Sequence, residues 1–70
     1  MDKIVLVNIG SPKDYAYYTD LELNVGDWVL CPMGKDNKIH KAKVTNVNPT
    51  PEEGRFANKS IQEKITQEVI

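Results

Sequence analysis

Residues 23–34, LNVGDWVLCPMG, decide the fold of this chain, because they hold one short apolar run with a turn signal at each end. Gly26 gives the first turn a permissive backbone, and Asp27 can accept hydrogen bonds from nearby amides where the strand begins. Pro32 lacks an amide donor and is predicted to end the ladder of main-chain hydrogen bonds. The stretch therefore predicts a β-strand over residues 28–31.

The polar loop after this strand, at residues 33–38, predicts a β-hairpin with a long strand over residues 39–47. A hairpin centred on this loop determines which residues face one another across the two strands. The predicted pairs are Cys31 with His40, Val29 with Ala42, Asp27 with Val44, Leu30 with Lys41, and Trp28 with Lys43.

The alternation of side chains gives this hairpin a core side and a wetter side. The predicted core side consists of Val29, Cys31, Ala42 and Val44. Trp28 lies beside two lysines on the wetter side. Val44 and Val47 are three residues apart, which breaks strict alternation and predicts a β-bulge near residues 45–46.

Two further strands are predicted before the hairpin. Residues 3–9 are β-branched and apolar on both faces, which indicates a strand that is covered on two sides or one that crosses a barrel. A turn at residues 10–14 separates it from an aromatic strand over residues 15–20. Residues 21–25 then alternate apolar and polar up to the turn at Gly26.

The residues after the hairpin leave two alternatives open. Residues 48–54 predict a loop with one helical turn from Pro51. Residues 60–63, SIQE, match a capping box, which favours a helix over residues 60–70. Apolar residues four apart in this tail fit one stripe of a helix and equally one face of a strand. These residues are Ile61, Ile65 and Val69.

Size and composition narrow the functional class. Seventy residues predict one small β-barrel domain over residues 1–70. The single cysteine excludes an internal disulfide, and without a Cys/His ligand set we expect neither a metal nor a cofactor. The net charge of −1 argues against coating nucleic acid through bulk charge. No run predicts a membrane span and residues 1–7 lack a signal-peptide core, so we expect a reducing cytoplasm.

Four short motifs are spread over nearly the whole chain. They are YAYYT at residues 15–19, LNVGDWV at 23–29, AKV at 42–44 and ANKSI at 57–61. This arrangement resembles a group of small phage and prophage proteins, whose pattern runs YxYFT, VGDxVVV, AKV and ATKWIV. Asn58 and Ser60 stand where that group commonly has Thr and Trp. The resemblance implies a small β-barrel of mobile-element origin in the cytoplasm of a bacterial host cell, and it favours residues 59–66 as the closing strand.

A second resemblance is local. Residues 17–34, with their VGDxVxxPxG pattern, are similar to the N-terminal DNA 3′-end-binding domain of primosomal replication helicases. The shared pattern consists mostly of turn and strand signals, so common barrel geometry accounts for it without a common ligand.

The pairing of Cys31 with His40 is the candidate for chemistry. A neighbouring imidazole can lower the pKa of a thiol and create a nucleophile. The alternative is that Cys31 is a small buried apolar residue and His40 covers it at the barrel rim. No third orienting group can be identified and the chain is short, so we expect no enzyme.

The lysine-rich hairpin is the candidate for ligand binding. Lysines that contact phosphates, beside an aromatic ring that stacks on bases, are what a single-strand binder needs. The alternative is a solvated hairpin in which lysine stems cover Trp28 and the charges keep an edge strand from aggregating. The residues concerned are Trp28, Lys35, Lys38, His40, Lys41 and Lys43.

The tyrosine cluster is a candidate protein-binding anchor, since Tyr and Trp dominate interface hot spots. On an alternating strand we expect Tyr15 and Tyr17 to pack in the core and Tyr18 to face the other side.

The sequence thus predicts a mostly β fold, with five short strands closing into a small SH3-like barrel. An OB-like barrel, or a β-sheet with a C-terminal helix, is the alternative. We expect a non-catalytic binding module, a phage or prophage accessory protein that binds a protein partner. The alternative is a weak binder of single-stranded nucleic acid, and an exposed edge strand could also pair two copies as a homodimer.

Overall fold

The structure is a computed structural model that describes residues 3–65, which contain five β-strands and one short helix. The elements are β1 (Lys3–Asn8), β2 (Tyr15–Thr19), β3 (Trp28–Met33), β4 (Lys38–Asn46), α1 (Pro51–Gly54) and β5 (Glu63–Ile65). All neighbouring strands are antiparallel and form one sheet in the order β2-β1-β4-β3-β5. The predicted mostly β, five-stranded fold is confirmed.

The tail brings the two ends of this sheet together. β5 pairs with β3, and the Gln62 amide just before it donates to the Leu30 carbonyl at 2.8 Å. One residue earlier, the Ile61 amide donates to the Tyr18 carbonyl of β2, and the Tyr18 amide donates to the Lys59 carbonyl, both at 2.8 Å. The sheet is therefore curled into a half-barrel that is compatible with a small SH3-like or OB-like barrel.

The tail is a closing strand in the part that the structure describes. Residues 60–65 hold a bridge and β5, so a helix beginning at residue 60 is wrong there, and residues 66–70 lie outside the described range. The capping box predicted at residues 60–63 is also wrong, since Glu63 lies in β5. Apolar residues four apart fit both a helix and a strand, and pairing with β2 and β3 makes this segment a strand.

The capping box of this chain belongs instead to α1. The Glu53 amide donates to Thr50 Oγ1 at 3.1 Å, and the Thr50 amide donates to Glu53 Oε1 at 2.8 Å. This confirms the helical turn predicted from Pro51. The helix packs closely against β1. A Cβ added at Gly54 would lie only 3.1 Å from Ile4 Cγ2.

The hairpin of β3 and β4 has the predicted register at every predicted pair. The strand pairs run from Trp28 with Lys43 to Cys31 with His40, and the Val44 amide donates to the Asp27 carbonyl at 2.8 Å. The predicted core side is buried in full: Val29, Cys31, Ala42 and Val44. The predicted bulge is present too, because the pairing of β1 with β4 shifts between Leu6 and Val7, opposite residues 44–46.

β3 is longer than predicted, because Pro32 does not end its ladder. Pro32 pairs with Ile39 and Met33 pairs with Lys38. The Asp27 carbonyl accepts a hydrogen bond from Val44 of β4, and every second residue after Asp27 directs its main-chain groups toward β4 in the same way. Pro32 is not one of these residues, so its nitrogen points away from β4. Proline is tolerated at such a position, since no ladder bond needs its missing N–H.

Residues 21–25 form no strand, although their alternation predicted one. Leu23 is buried in the core, but Val25 is 63% exposed. The chain turns here, with the Asn24 amide donating to Asp27 Oδ2 at 2.8 Å and the Gly26 amide donating to the Val44 carbonyl at 2.8 Å. The hydrogen bond from Asn24 and the nearby Lys64 ammonium hold the pKa of Asp27 below its usual value. Burial of Leu23, together with packing of Leu21 against the same core, thus accounts for the apolar signal in this loop.

Candidate binding site

The structure places the predicted site residues at several different positions. Trp28, Lys41 and Lys43 lie together on the outer face of the sheet. Lys38 and His40 are exposed and alternate with Lys41 and Lys43 along β4, so they lie on the opposite face. The remaining two are Lys35, in the turn between β3 and β4, and Tyr18, at the seam between β2 and the tail.

The outer face is centred on Trp28. The Lys41 and Lys43 ammonium groups lie 5.0 Å and 5.7 Å from the centroid of its ring, within cation–π range. Asn8 pairs with Lys43 on the neighbouring strand and Ile65 pairs with Trp28 on the other side. The lysine side chains therefore lie against the Trp28 ring, which is half-buried, as the solvated-hairpin alternative predicts.

The charge of this face is mixed. The ion pairs recorded within residues 3–65 are Lys3 with Glu22, Arg55 with Glu52, and Lys64 with Asp27, and none of them involves Lys41 or Lys43. Glu63 lies on the same face as these two lysines, because it pairs with Leu30, which in turn pairs with Lys41. The positive charge of this face therefore comes from the two lysines next to Trp28.

Cys31 is fully buried and the structure does not place it as an activated thiol. Its Sγ donates to the main-chain carbonyl of His40 at 3.7 Å, while the His40 side chain is exposed. Burial raises the pKa of the Cys31 thiol, and a hydrogen bond with the Tyr17 side chain offsets only part of that rise. A raised pKa is the opposite of what the proposed Cys–His pair requires. Cys31 is the small buried apolar residue of the alternative interpretation.

The tyrosines of β2 divide as their alternation predicted. Tyr17 is buried in the core and Tyr15 packs against it. The Tyr17 hydroxyl donates to the Pro32 carbonyl at 2.6 Å and links β2 to β3, and burial raises its pKa well above the usual value. Tyr18 is half-buried, with its amide and carbonyl both bonded to the tail. Its role as a partner anchor stays a prediction.

A groove of about 460 Å³, which sequence reasoning missed, lies beside β2. Its walls come from the loop before β2, from β2 itself, from the end of β3 and from the loop after α1. Its apolar lining includes Tyr15, Tyr17, Met33 and Phe56. The groove forms because the tail closes the sheet only at Tyr18 and leaves a gap between β2 and β3 nearer the start of β2.

Phe56 is the most unusual residue of this groove. It is 72% exposed, and the Arg55 guanidinium lies 4.6 Å from the centroid of its ring. The signal available in the sequence was the only phenylalanine of the chain, placed in a polar loop outside every predicted strand. An exposed aromatic side chain at the edge of a groove is characteristic of an interaction site.

The described residues also bear on metal binding and on membrane spanning. Within residues 3–65, no group of three or more His, Cys, Asp and Glu side chains is arranged to hold a metal ion. No helix in this part of the chain has the length and apolar character to cross a membrane.

Comparison of the chain with protein-family models, with curated proteins and with solved structures found no match.

Proposed function

We propose that this protein is a non-catalytic binding module whose ligand is another protein, and that it is an accessory protein of a phage or prophage. The observation that carries the proposal is the exposed ring of Phe56 beside the groove. The motif pattern shared with small phage and prophage proteins supports the proposed origin. Both parts are open to experiment.

The energetics favour Phe56 as a binding anchor. Leaving a large apolar side chain in water forgoes about 1.5–3 kcal/mol that its burial would contribute. A partner that covers the ring gains this energy, and the adjoining Tyr15 and Met33 extend the apolar area that it can cover. Aromatic residues that are buried in this way are typical hot spots of protein interfaces.

The proposal is tested by affinity capture from nuclease-treated bacterial lysate, with the partner identified and its affinity then measured. We expect Phe56→Ser to weaken binding by about thirtyfold, the effect of losing a hot spot of about 2 kcal/mol. Val25→Ser is the matched control, because Val25 is also apolar and 63% exposed but does not line the groove. A partner that both variants bind as tightly as the unmodified protein does would refute the assignment to Phe56.

A second candidate function, binding of single-stranded nucleic acid, is favoured by the two lysines next to Trp28 on the outer face. Among residues 3–65, Lys41 and Lys43 have no recorded carboxylate partner, and they flank the single tryptophan, so phosphates could replace their hydration water beside the ring. Trp28 fluorescence during titration with short oligothymidylate tests this. Two phosphate contacts predict that log K falls with log salt concentration at a slope of about −1.4. The absence of quenching, or a slope of zero, would refute this candidate.

A further inference from the structure

We propose that the groove binds an extended segment of the partner protein, which adds as a strand to the open edge of β2 at Ala16. This inference rests on the proposed function and specifies how the partner is held.

The main-chain geometry of β2 is the first step. Tyr18 directs both its amide and its carbonyl away from β1, since they bond to Ile61 and Lys59 of the tail. In an antiparallel pair every second residue points its amide and carbonyl the same way. Ala16, two residues earlier and paired with Leu6, therefore also points both groups away from β1, and it lines the groove. No main-chain partner on that side is recorded for Ala16 within residues 3–65.

The carbonyls of the opposite wall are already engaged. The Pro32 carbonyl accepts the Tyr17 hydroxyl at 2.6 Å, and the Gly34 carbonyl accepts Lys59 Nζ at 2.6 Å. Pro32 has no amide hydrogen to offer. On the β2 side, an added strand would find a donor and an acceptor together on one residue, Ala16.

The side chains around the groove indicate the composition of the segment. Tyr15, Met33 and Phe56 supply apolar surface for bulky side chains at alternate positions of a strand. Of the charged side chains that line the groove, Asp14 accepts hydrogen bonds from Asn8 and Thr45, and Glu53 accepts one from the Thr50 amide. Lys13 lies over the Tyr15 ring, 5.8 Å from its centroid, and takes part in none of the ion pairs recorded within residues 3–65. The segment is therefore apolar, with an acidic residue that pairs with Lys13.

The groove fits a free segment better than the β2 edge of a second copy. Phe56 and Asn58 form a wall beside Ala16, which makes the edge concave. A second copy carries the same wall next to its own β2, so the two walls would meet before the edges paired. An extended segment without such a wall reaches Ala16 freely.

The test uses amide hydrogen exchange on the unmodified protein, with peptides selected from a displayed random library as the probe. We expect the selected peptides to alternate apolar residues and to contain Asp or Glu, and their binding to slow exchange at the Ala16 amide by about tenfold or more. The Tyr17 amide, which faces β1, is the internal control and should already be protected without peptide. Exchange at Ala16 that the bound peptides leave unchanged would overturn the inference.

Two modifications make the test specific without risking the fold. N-methylation of the peptide at the residue whose amide donates to the Ala16 carbonyl should weaken binding by about tenfold, whereas methylation at the next residue should not, because only alternate amides face β2. Lys13→Gln should weaken binding of the acidic peptides and leave their Asn and Gln analogues unaffected. Equal effects of N-methylation at both positions would contradict strand addition.

The failures of the two proposals are distinguishable. A captured protein whose affinity depends on Phe56, but which leaves Ala16 exchange unchanged, overturns strand addition and leaves the proposed function standing. If sedimentation shows a dimer, and dimer formation slows exchange at the Ala16 amide, then the edge of β2 pairs with a second copy. That result would overturn both the proposed partner segment and the claim that Phe56 and Asn58 prevent such pairing.

Discussion

The Tyr17 hydroxyl is the polar group whose removal tests the packing of this fold most sharply. It lies in the core and donates to the Pro32 carbonyl at 2.6 Å, joining β2 to β3 across the gap that becomes the groove. Tyr17→Phe keeps the ring and leaves that carbonyl without its donor. Because Pro32 is only half-buried, water can partly replace the donor, and we expect a loss of about 1–2 kcal/mol in the free energy of unfolding.

This loss should be visible in thermal and urea unfolding. At about 4–8 °C per kcal/mol for a domain of this size, the melting temperature should fall by about 4–16 °C. Tyr15→Phe is the matched control, because Tyr15 packs against the same core and its hydroxyl has no recorded hydrogen bond to any of residues 3–65. Equal stability of the Tyr17→Phe variant, the Tyr15→Phe variant and the unmodified protein would refute this account of the Tyr17 contact.

The pH dependence of stability gives a second measure of the same group. The pKa values of Tyr17 and Cys31 are both raised on folding, mainly by burial. A raised pKa stabilises the fold fully below the unfolded-state value and less as pH rises beyond it. The unmodified protein should therefore lose stability above about pH 9, where an unfolded thiol ionises, and further above about pH 10, where an unfolded tyrosine does. Tyr17→Phe should abolish the second loss and retain the first.

Three further predictions follow from packing and capping. Gly54→Ala should lower the free energy of unfolding by about 1–3 kcal/mol, because the added Cβ would lie 3.1 Å from Ile4 Cγ2. In a double-mutant cycle, Ile4→Ala in the same chain should recover part of that loss. Additive effects of the two substitutions would contradict the contact. Thr50→Ala should lower the free energy of unfolding by about 1 kcal/mol, because it removes the acceptor of the Glu53 amide. An unchanged urea unfolding curve would contradict this capping role. Cys31 should react with a maleimide far more slowly in the folded protein than in urea, and equal rates would contradict its burial.

The hairpin could be predicted from the sequence because its information is local. The polar loop and the alternation on either side of it leave only one register that buries Val29, Cys31 and Ala42 together. The bulge after Val44 followed from the same alternation. Each of these features depends on residues close to one another in the chain.

The features that could not be predicted depend on distant contacts. The tail has helical caps and a spacing that fits both periods, and only its bonds to Tyr18 and Leu30 make it a strand. The ladder continues past Pro32 because of which way its nitrogen faces, a property of the paired register rather than of proline itself. The groove beside Phe56 exists only because the sheet curls and closes incompletely.

The candidate site also has a part that the sequence predicted and a part that it did not. Sequence reasoning grouped Trp28 with Lys41 and Lys43 correctly, since strand pairing places them side by side. It also grouped His40 with them, although the same register puts that residue on the opposite face of β4. Phe56 carried no periodic signal, and the one indication in its own segment was a single phenylalanine in a polar loop.

The measurement that tests the central claim most directly is a chemical-shift titration of the isotope-labelled protein with the captured partner. The groove account predicts that backbone signals of Ala16 and Phe56 move or broaden first, while the indole signal of Trp28 stays unchanged. Perturbations centred on Trp28, Lys41 and Lys43, with Ala16 and Phe56 unaffected, would contradict it and assign binding to the outer face instead.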